Sequence, residues 1–286
     1  MLAALRPLHW AKNLLIFGPL LLAHQIGSSA RLVDTLLAFV AFSLAASGTY
    51  LINDVRDAAH DRLHPTKKER LIASGRMTPS AALTTAIVLI AAGLALAFFV
   101  QREVAAWLAG YVVLSLTYSI VFKRRVFLDV LALSALYSIR VLAGGAAARV
   151  EVSDWLLALS GFIFISLALL KRYADLRFLA TRGEEALPGR DYSSGDVDLL
   201  RSMGVSTGML AVLVLALYVT SEQVARLYTH RRLLWLVCPM LLYWIAHMWF
   251  LAHRGRIEDD PIVIAAKDPT SYIVAALIVV VSAAAV

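Results

Sequence analysis

The chain has 286 residues, of which 60% are hydrophobic and only 16% are charged. No soluble domain of this size needs so much apolar surface, so the composition excludes a soluble enzyme and indicates several membrane-spanning segments. The single cysteine, Cys238, excludes an internal disulfide and a cysteine metal cluster, and the net charge of +7 is explained by basic loops beside membrane helices rather than by nucleic-acid binding.

A short basic and aromatic lead-in at residues 1–12 is typical of an interfacial segment. Apolar segments follow, each near the ~20 residues that cross a bilayer, the first and last being the weakest. Because the chain lacks the alternation of a β-barrel, we predict an all-α integral membrane fold with a single domain over residues 1–286. The nine predicted transmembrane helices are residues 13–27, 32–52, 79–100, 104–122, 127–147, 155–170, 199–220, 233–251 and 271–286.

The distribution of lysine and arginine predicts the orientation. The N-terminal lead-in and the loops on one side carry 19 of these residues, and the opposite loops carry six. The positive-inside rule therefore places the N-terminus and the long loops in the cytoplasm and the C-terminus outside. We expect a bacterial-type inner or plasma membrane protein with its active site facing the cytoplasm.

The most informative stretch follows the second segment. Asp54, Asp57 and Asp61 are spaced i, i+3 and i+7, so a continuing helix places all three carboxylates on one face. Mg²⁺ would remove their repulsion, because it takes one or two carboxylates and leaves its other positions to water and substrate phosphates. Clustered charge beside a membrane segment is usually functional, so we predict a metal site. The alternative is a solvated acidic helix end.

Basic residues near this motif and near a second one indicate phosphate binding. Lys67 and Arg70 follow the aspartates and offer charge to phosphates that the metal does not reach. Lys171, Arg172 and Asp175 end the sixth segment and suit a phosphorylated substrate, although a stop-transfer basic pair is the alternative.

Other polar residues are more ambiguous. Arg140 lies in mid-segment and should face a polar cavity or an ion-pair partner, while Gly144 beyond it permits close helix packing. The stretch 181–198 contains glycine, proline and serine and predicts a flexible lid or loop. A charged stretch at 254–268, with Asp260, supplies either a second acidic patch or only a charged loop.

Four motifs together resemble the UbiA superfamily of intramembrane prenyltransferases: RPxxWxKN at 6–13, NDxxDxxxDxxHPxKxxR at 53–70, YSxxxKRxxxxDV at 118–130 and KRYADL at 171–176. They are most similar to the branch that contains decaprenyl-phosphate phosphoribosyltransferase. The resemblance implies nine transmembrane helices in a bundle around a central cavity, with Mg²⁺ held by aspartates under a cytoplasmic cap. Aromatic prenyltransferases of the superfamily carry a second aspartate-rich motif where this chain has KRYAD. That departure favours a donor with phosphates at two ends, such as phosphoribosyl diphosphate.

The resemblance implies transfer of a 5-phosphoribosyl group from phosphoribosyl diphosphate to a polyprenyl phosphate, with release of diphosphate. The apolar cavity then accepts the isoprenoid tail, and a phosphatase that acts on the product is an expected partner. The metal ligands implied are Asn53, Asp54, Asp57 and Asp61, the substrate-binding residues implied are Lys67, Arg70, Arg140, Lys171, Arg172 and Asp175, and the residues that orient the lipid phosphate are Lys12, Tyr118 and Lys123.

Two alternatives remain open from the sequence. A UbiA-type prenyltransferase would use the same first motif to ionise a prenyl diphosphate and move the prenyl group to an aromatic or other acceptor. A non-catalytic lipid transporter or lipid-binding protein would use the charges only to line a path. The first alternative is distinguished by which labelled donor, phosphoribosyl diphosphate or a prenyl diphosphate, transfers its group. The second is distinguished by a substrate flux that Asp57→Asn does not change.

Overall fold

The computed structural model describes residues 5–62, 67–180, 186–187, 189–257 and 260–286. In this part of the chain the regular structure is helical, apart from one isolated antiparallel bridge between Ala186 and Ser193. The long α-helices, labelled in chain order, are α1 (Ser29–Asp61), α2 (Pro79–Val100), α3 (Arg102–Ile120), α4 (Leu128–Ala148), α5 (Asp154–Ala180), α6 (Val197–Thr220), α7 (Val237–His253) and α8 (Pro269–Ala285).

Seven helical segments within the described residues are long and apolar enough to cross a membrane, judged by length and composition. They correspond to α1 to α7, whereas α8 is shorter, at 17 residues. Many large apolar side chains on these helices stay exposed, such as Phe99 at 85% and Ile87 at 65%. Such a surface suits contact with lipid rather than water, and the predicted all-α membrane class is confirmed.

The first predicted segment, residues 13–27, does not form one continuous α-helix. The chain instead forms a 3₁₀-helix over Pro7–Phe17 and then a short α-helix over Gly18–Leu22. Pro19 lies in the first turn of the short helix, where its missing N–H is tolerated. A helix continuing through Pro19 from the preceding turns would lose a hydrogen bond and clash with a carbonyl group, which explains the break.

Two helices run beyond their predicted ends. α1 continues to Asp61 rather than residue 52, and α5 continues to Ala180 rather than residue 170. A helix of 33 residues is about 50 Å long, which exceeds the ~30 Å of hydrocarbon. Both charged motifs are therefore helical, and α1 is long enough for its motif to leave the hydrocarbon.

The chain forms two compact units. Unit 1 contains Met1–Phe122 and Ile139–Val152. Within it, α1 packs closely along α2, and the buried alanines Ala41 and Ala86 allow the backbones to approach. Gly144 lies against the 3₁₀-helix, since a Cβ atom there would be 2.1 Å from the Ile16 carbonyl oxygen. This contact confirms the predicted role of Gly144 in close packing.

Unit 2 contains Lys123–Ser138 and Ser153–Val286. α5 and α6 form its most extensive helix pair. Gly204 makes room for a large neighbour, because a Cβ atom there would be 2.2 Å from the Trp249 ring. The Ser166 hydroxyl donates to the Gly204 carbonyl (2.7 Å), and the Trp249 indole N–H donates to Ser166 (3.2 Å). These contacts tie α5, α6 and α7 together.

Candidate functional site

Unit 1 contains an acidic centre, which we define as Asp54, Asp61, Arg6 and Arg70. Asp54 and Asp61 are buried, with exposures of 6% and 4%. One Arg70 nitrogen, Nη1, donates to Asp54 Oδ1 (3.1 Å) and to Asp61 Oδ2 (2.8 Å). Arg6 pairs with the other Asp54 oxygen. Two of the three predicted carboxylates therefore converge on a single cationic nitrogen.

The cations of the acidic centre are more accessible than its carboxylates. The side chains of Arg6 and Arg70 are 19% and 27% exposed, and neither belongs to α1. Arg6 has a φ of 49°, in the left-handed region, and its guanidinium carbon lies 5.6 Å from the centre of the Tyr50 ring. Partly exposed arginines from separate segments can be exchanged for other cations more readily than buried ones.

The remaining predicted residues around this motif lie nearby in the chain. Asn53 and Asp57 are half-buried on α1, and Tyr118 is half-buried near the end of α3. Arg56 donates to the Ser119 carbonyl, which ties the end of α1 to the end of α3. The side chain of Lys67 lies outside the described residues.

Arg140 forms a buried polar cluster within unit 1. Its Nε atom donates to Asn13 Oδ1 (2.7 Å), and Asn13 Nδ2 donates to the Ser43 hydroxyl (2.9 Å). Its Nη2 atom donates to the Tyr111 hydroxyl at 3.2 Å, and its guanidinium carbon lies 4.6 Å from the centre of that ring. Lys12 interacts electrostatically with Tyr111. The prediction that Arg140 meets polar partners is consistent with these contacts.

Unit 2 contains a second charged group, the buried centre, which we define as Asp129, Arg172, Arg190 and Tyr192. Asp129 and Arg172 are fully buried, and Arg172 Nε donates to Asp129 Oδ2 at 2.5 Å. Arg190 Nη1 donates to the same oxygen (3.3 Å), and the Tyr192 hydroxyl donates to Asp129 Oδ1 (2.6 Å). Asp129 therefore accepts hydrogen bonds from three side chains.

The buried centre reaches solvent through Asp175. Arg172 Nη1 donates to Asp175 Oδ2 at 2.8 Å, and the Asp175 side chain is 32% exposed. Lys171 is half-buried and interacts electrostatically with Asp175. Of the predicted substrate-binding residues in unit 2, Lys171, Arg172 and Asp175 are thus brought together. Lys123 is half-buried in the 3₁₀-turn Phe122–Arg124.

The described part of the predicted loop at 181–198 packs against the rest of unit 2. Leu187 and Tyr192 are buried in a hydrophobic cluster with Val130 and Leu176. The Tyr192 hydroxyl also accepts a hydrogen bond from the Phe127 backbone N–H (2.8 Å). Burial and the hydrogen bond to Asp129 raise the pKa of Tyr192 above its usual value, so the phenol stays protonated and keeps donating.

Within the described residues of the charged stretch at 254–268, the carboxylate of Asp260 is buried, with an exposure of 6%. It caps the helix Pro261–Ala265 by accepting from the Ile262 N–H (3.1 Å), and it accepts from the Tyr137 hydroxyl (3.2 Å). These contacts give Asp260 a structural role.

A profile of the UbiA prenyltransferase family matches residues 14–261. The chain belongs to this family. A UbiA homologue from Archaeoglobus fulgidus, solved with GPP and Mg²⁺, has the same fold, with a TM-score of 0.75 at 17% identity over 99% of this chain and 98% of that one.

Three curated relatives are similar in sequence. The uncharacterized protein y4nM of Sinorhizobium fredii is 34% identical over 278 residues, covering 97% of this chain and 54% of that protein. Nodulation protein NoeC of Azorhizobium caulinodans is 37% identical, covering 94% of this chain and 88% of NoeC. Decaprenyl-phosphate phosphoribosyltransferase of Mycobacterium tuberculosis is 38% identical over 184 residues, covering 63% of this chain and 61% of that enzyme. The chain thus spans about half the length of y4nM.

The carboxylate oxygens that this UbiA-family chain offers at the acidic centre are suitable ligands for a hard divalent cation. Among the described residues, no three His, Cys, Asp or Glu side chains are grouped closely enough to hold a metal, so the three aspartates do not form a ready-made cage. Mg²⁺ needs only one or two protein carboxylates when phosphates and waters complete its shell. Asp54 and Asp61 supply that pair, and the Arg70 nitrogen between them lies where a cation is favoured.

Sequence reasoning missed several members of these centres. Arg6 and Asp129 lie within two of the motifs, but a motif alone does not reveal which of its side chains meet in the fold. Arg190 and Tyr192 lie in the stretch predicted as a flexible lid or loop, and only the folded chain brings them to Asp129.

Proposed function

We propose that this protein transfers a 5-phosphoribosyl group from phosphoribosyl diphosphate to a polyprenyl phosphate. The anomeric C–O bond to diphosphate breaks, a bond forms from that carbon to an oxygen of the lipid phosphate, and diphosphate leaves. The supporting observation is the convergence of Asp54 and Asp61 on one exchangeable cation, in a chain that is 38% identical over 184 residues to a decaprenyl-phosphate phosphoribosyltransferase.

In this proposal Asp54 and Asp61 would hold Mg²⁺, with Asn53 and Asp57 beside them on α1. A bound Mg²⁺ would neutralise the charge that develops on the diphosphate leaving group. Arg70, once released from both carboxylates, donates its N–H groups to phosphate oxygens, for which a guanidinium is well shaped. The partial exposure of Arg70, at 27%, supports this exchange.

The lipid phosphate is already anionic at neutral pH, so it needs positioning more than a general base. We assign the positioning of the lipid phosphate to Lys12, Tyr118 and Lys123. We assign binding of the second phosphate of the donor to Lys67 and Lys171. Arg172 is fully buried between two carboxylates. Its contribution is therefore to hold Asp175 rather than to bind phosphate directly.

The family match runs through both units and supports a single UbiA-like domain. The excess of basic residues on the loops that carry these motifs supports an active site on the cytoplasmic face, with the N-terminus inside. A separate phosphatase would then act on the product, because the transferred sugar keeps its 5-phosphate.

The test is transfer of labelled ribose into lipid. Purified protein in detergent or liposomes is incubated with labelled phosphoribosyl diphosphate and polyprenyl phosphate, with Mg²⁺ or with chelator. We expect Mg²⁺-dependent label in the lipid phase, lost in Asp61→Asn. Asp34→Asn is the matched control, since Asp34 lies on the same helix but pairs with Arg149 (3.4 Å) on the surface.

A second candidate is prenyl transfer, supported by the fold shared with a homologue that binds GPP. The same preparation is given a labelled prenyl diphosphate and an aromatic acceptor. Label that moves from this donor, with none moving from phosphoribosyl diphosphate in active protein, would replace the first proposal with the second.

A further inference from the structure

A groove lies between α6 and α7 within unit 2. Arg201, Val205 and Met209 line it at four-residue spacing along one face of α6. On the other side, the groove is lined by a stripe of α7 that includes Ala246, Phe250 and His253. Its volume is about 310 Å³. The helical rise from Arg201 to Met209 corresponds to a length of about 12 Å.

The walls of the groove present carbon rather than hydrogen-bonding groups. The Trp249 indole N–H donates to the Ser166 hydroxyl (3.2 Å). The Tyr173 hydroxyl is hydrogen-bonded to His253 Nδ1 (3.0 Å). Met209 is flexible and polarisable, which suits contact with chains of variable shape. Such a lining fits a hydrocarbon chain better than a polar metabolite.

One end of the groove is basic. The Arg201 side chain is 51% exposed, and the guanidinium carbon of Arg254 lies 5.7 Å from the centre of the Phe250 ring. Arg177 donates to the His253 carbonyl (3.4 Å) and adds a third cation. These residues lie at the start of α6 and at the ends of α5 and α7, where apolar helix gives way to polar chain.

The only carboxylate paired with this rim in the described structure is easily displaced. Asp198 lies 3.0 Å from Arg201, but its side chain is 84% exposed. Exposed ion pairs of this kind contribute little, so a phosphate with a desolvated tail beside it would compete effectively.

We propose that this groove binds one chain of an anionic phospholipid, with the lipid phosphate held by Arg201 and Arg254. The combination of a hydrocarbon-sized apolar channel and a basic rim at its polar end carries the proposal. A second copy of this chain fits less well, because a two-fold contact on this face would bring the same arginines together. The proposal does not rest on the transfer reaction, because Arg201 and Met209 lie outside the four motifs, whereas Tyr173 of the lining belongs to the KRYADL motif.

The experiment is native mass spectrometry of the full chain in detergent, titrated with phosphatidylglycerol or with phosphatidylcholine carrying the same chains. We expect the wild-type protein to retain phosphatidylglycerol. The affinity for this lipid should be at least tenfold lower in the Arg201→Gln/Arg254→Gln double variant than in the wild type. Met209→Trp, which fills the apolar channel, should lower it similarly. Arg232→Gln is a control that removes an exposed arginine preceding the start of α7. This variant should bind phosphatidylglycerol as the wild type does.

Leu210→Trp is the matched control for bulk, because Leu210 neighbours Met209 on α6 but does not line the groove. Wild-type affinity in both rim and channel variants would overturn the proposal, as would equal loss in the two controls. Loss of a dimer in Met209→Trp, without a change in bound lipid, would assign the groove to a second copy instead. If Met209→Trp fails to fold, the double variant still decides, because both of its positions are exposed.

Discussion

The two charged centres have similar composition but differ in how deeply the arginine that bridges two carboxylates is buried, Arg70 in one and Arg172 in the other. In the acidic centre of unit 1, Arg6 and Arg70 are 19% and 27% exposed. In the buried centre of unit 2, Arg172 is fully buried against the fully buried Asp129. An accessible arginine can leave a carboxylate for little cost, whereas a buried one leaves an uncompensated charge behind. The first centre is therefore suited to exchange a cation, and the second to hold a helix in place.

The largest expected effect lies in the buried centre. Asp129→Asn removes the carboxylate that Arg172, Arg190 and Tyr192 share. Loss of one partner from a buried pair costs about 3–5 kcal/mol, so we expect that decrease in the free energy of unfolding, measured in detergent. Asp198→Asn, at an exposed pair, is the control and should cost less than ~1 kcal/mol. Equal losses in the two variants would contradict the comparison.

The acidic centre should show the reverse, with activity lost and stability kept. Asp61→Asn should lower kcat/KM for phosphoribosyl transfer by roughly 10²–10³-fold, the effect of removing one group that stabilises developing charge. The unfolding midpoint should remain close to that of the wild type. A fall in stability as large as that of Asp129→Asn would mean that Asp61 is mainly structural.

Arg70 tests cation exchange directly and without turnover. Arg70→Gln should tighten Mn²⁺ binding at least about tenfold, because the ion no longer displaces a charged hydrogen-bond donor worth roughly 1.5–3 kcal/mol. Electron paramagnetic resonance of free Mn²⁺ measures this in substrate-free protein. Arg76→Gln, in the same loop and exposed, should leave Mn²⁺ binding unchanged. Weaker Mn²⁺ binding in Arg70→Gln would refute the exchange.

Tyr192 tests how the loop is attached to the buried centre. Tyr192→Phe deprives Asp129 of a donor and the Phe127 N–H of an acceptor. Leaving buried groups unsatisfied costs roughly 1–3 kcal/mol, and hydrogen exchange at residues 186–193 should rise. Tyr243→Phe, whose side chain is exposed, should change neither quantity.

The smallest effect depends on pH at the start of α8. Burial opposes ionisation of Asp268, but hydrogen bonds from the Ser271 side chain and backbone and from His247 outweigh it and hold the pKa of Asp268 below its usual value. Because the folded pKa is lowered, this stabilisation is present above the unfolded value of about 3.9 and is lost as pH falls through the folded value. Asp268→Asn should therefore remove part of the loss of stability at acid pH, about 1 kcal/mol for a helix cap. The measurement is the free energy of unfolding between pH 3 and 7.

The sequence by itself determined the membrane class and the positions of most helices, but not that two of the helices continue through the charged motifs. α2 forms over the predicted residues 79–100, because hydropathy, a capping threonine and a proline at the helix start are all local signals. The same local reasoning was wrong at residues 13–27, where the conformational effect of Pro19 outweighed the apolar composition.

Only the tertiary structure decided which charges meet. Arg70 reaches back 16 residues to Asp54, and Arg172 reaches back 43 residues to Asp129. Both arginines belong to basic runs that read alike in sequence as phosphate-binding groups. Their different exposures come from packing between elements far apart in the chain, because burial is a property of the assembled fold and not of the residues beside a charge.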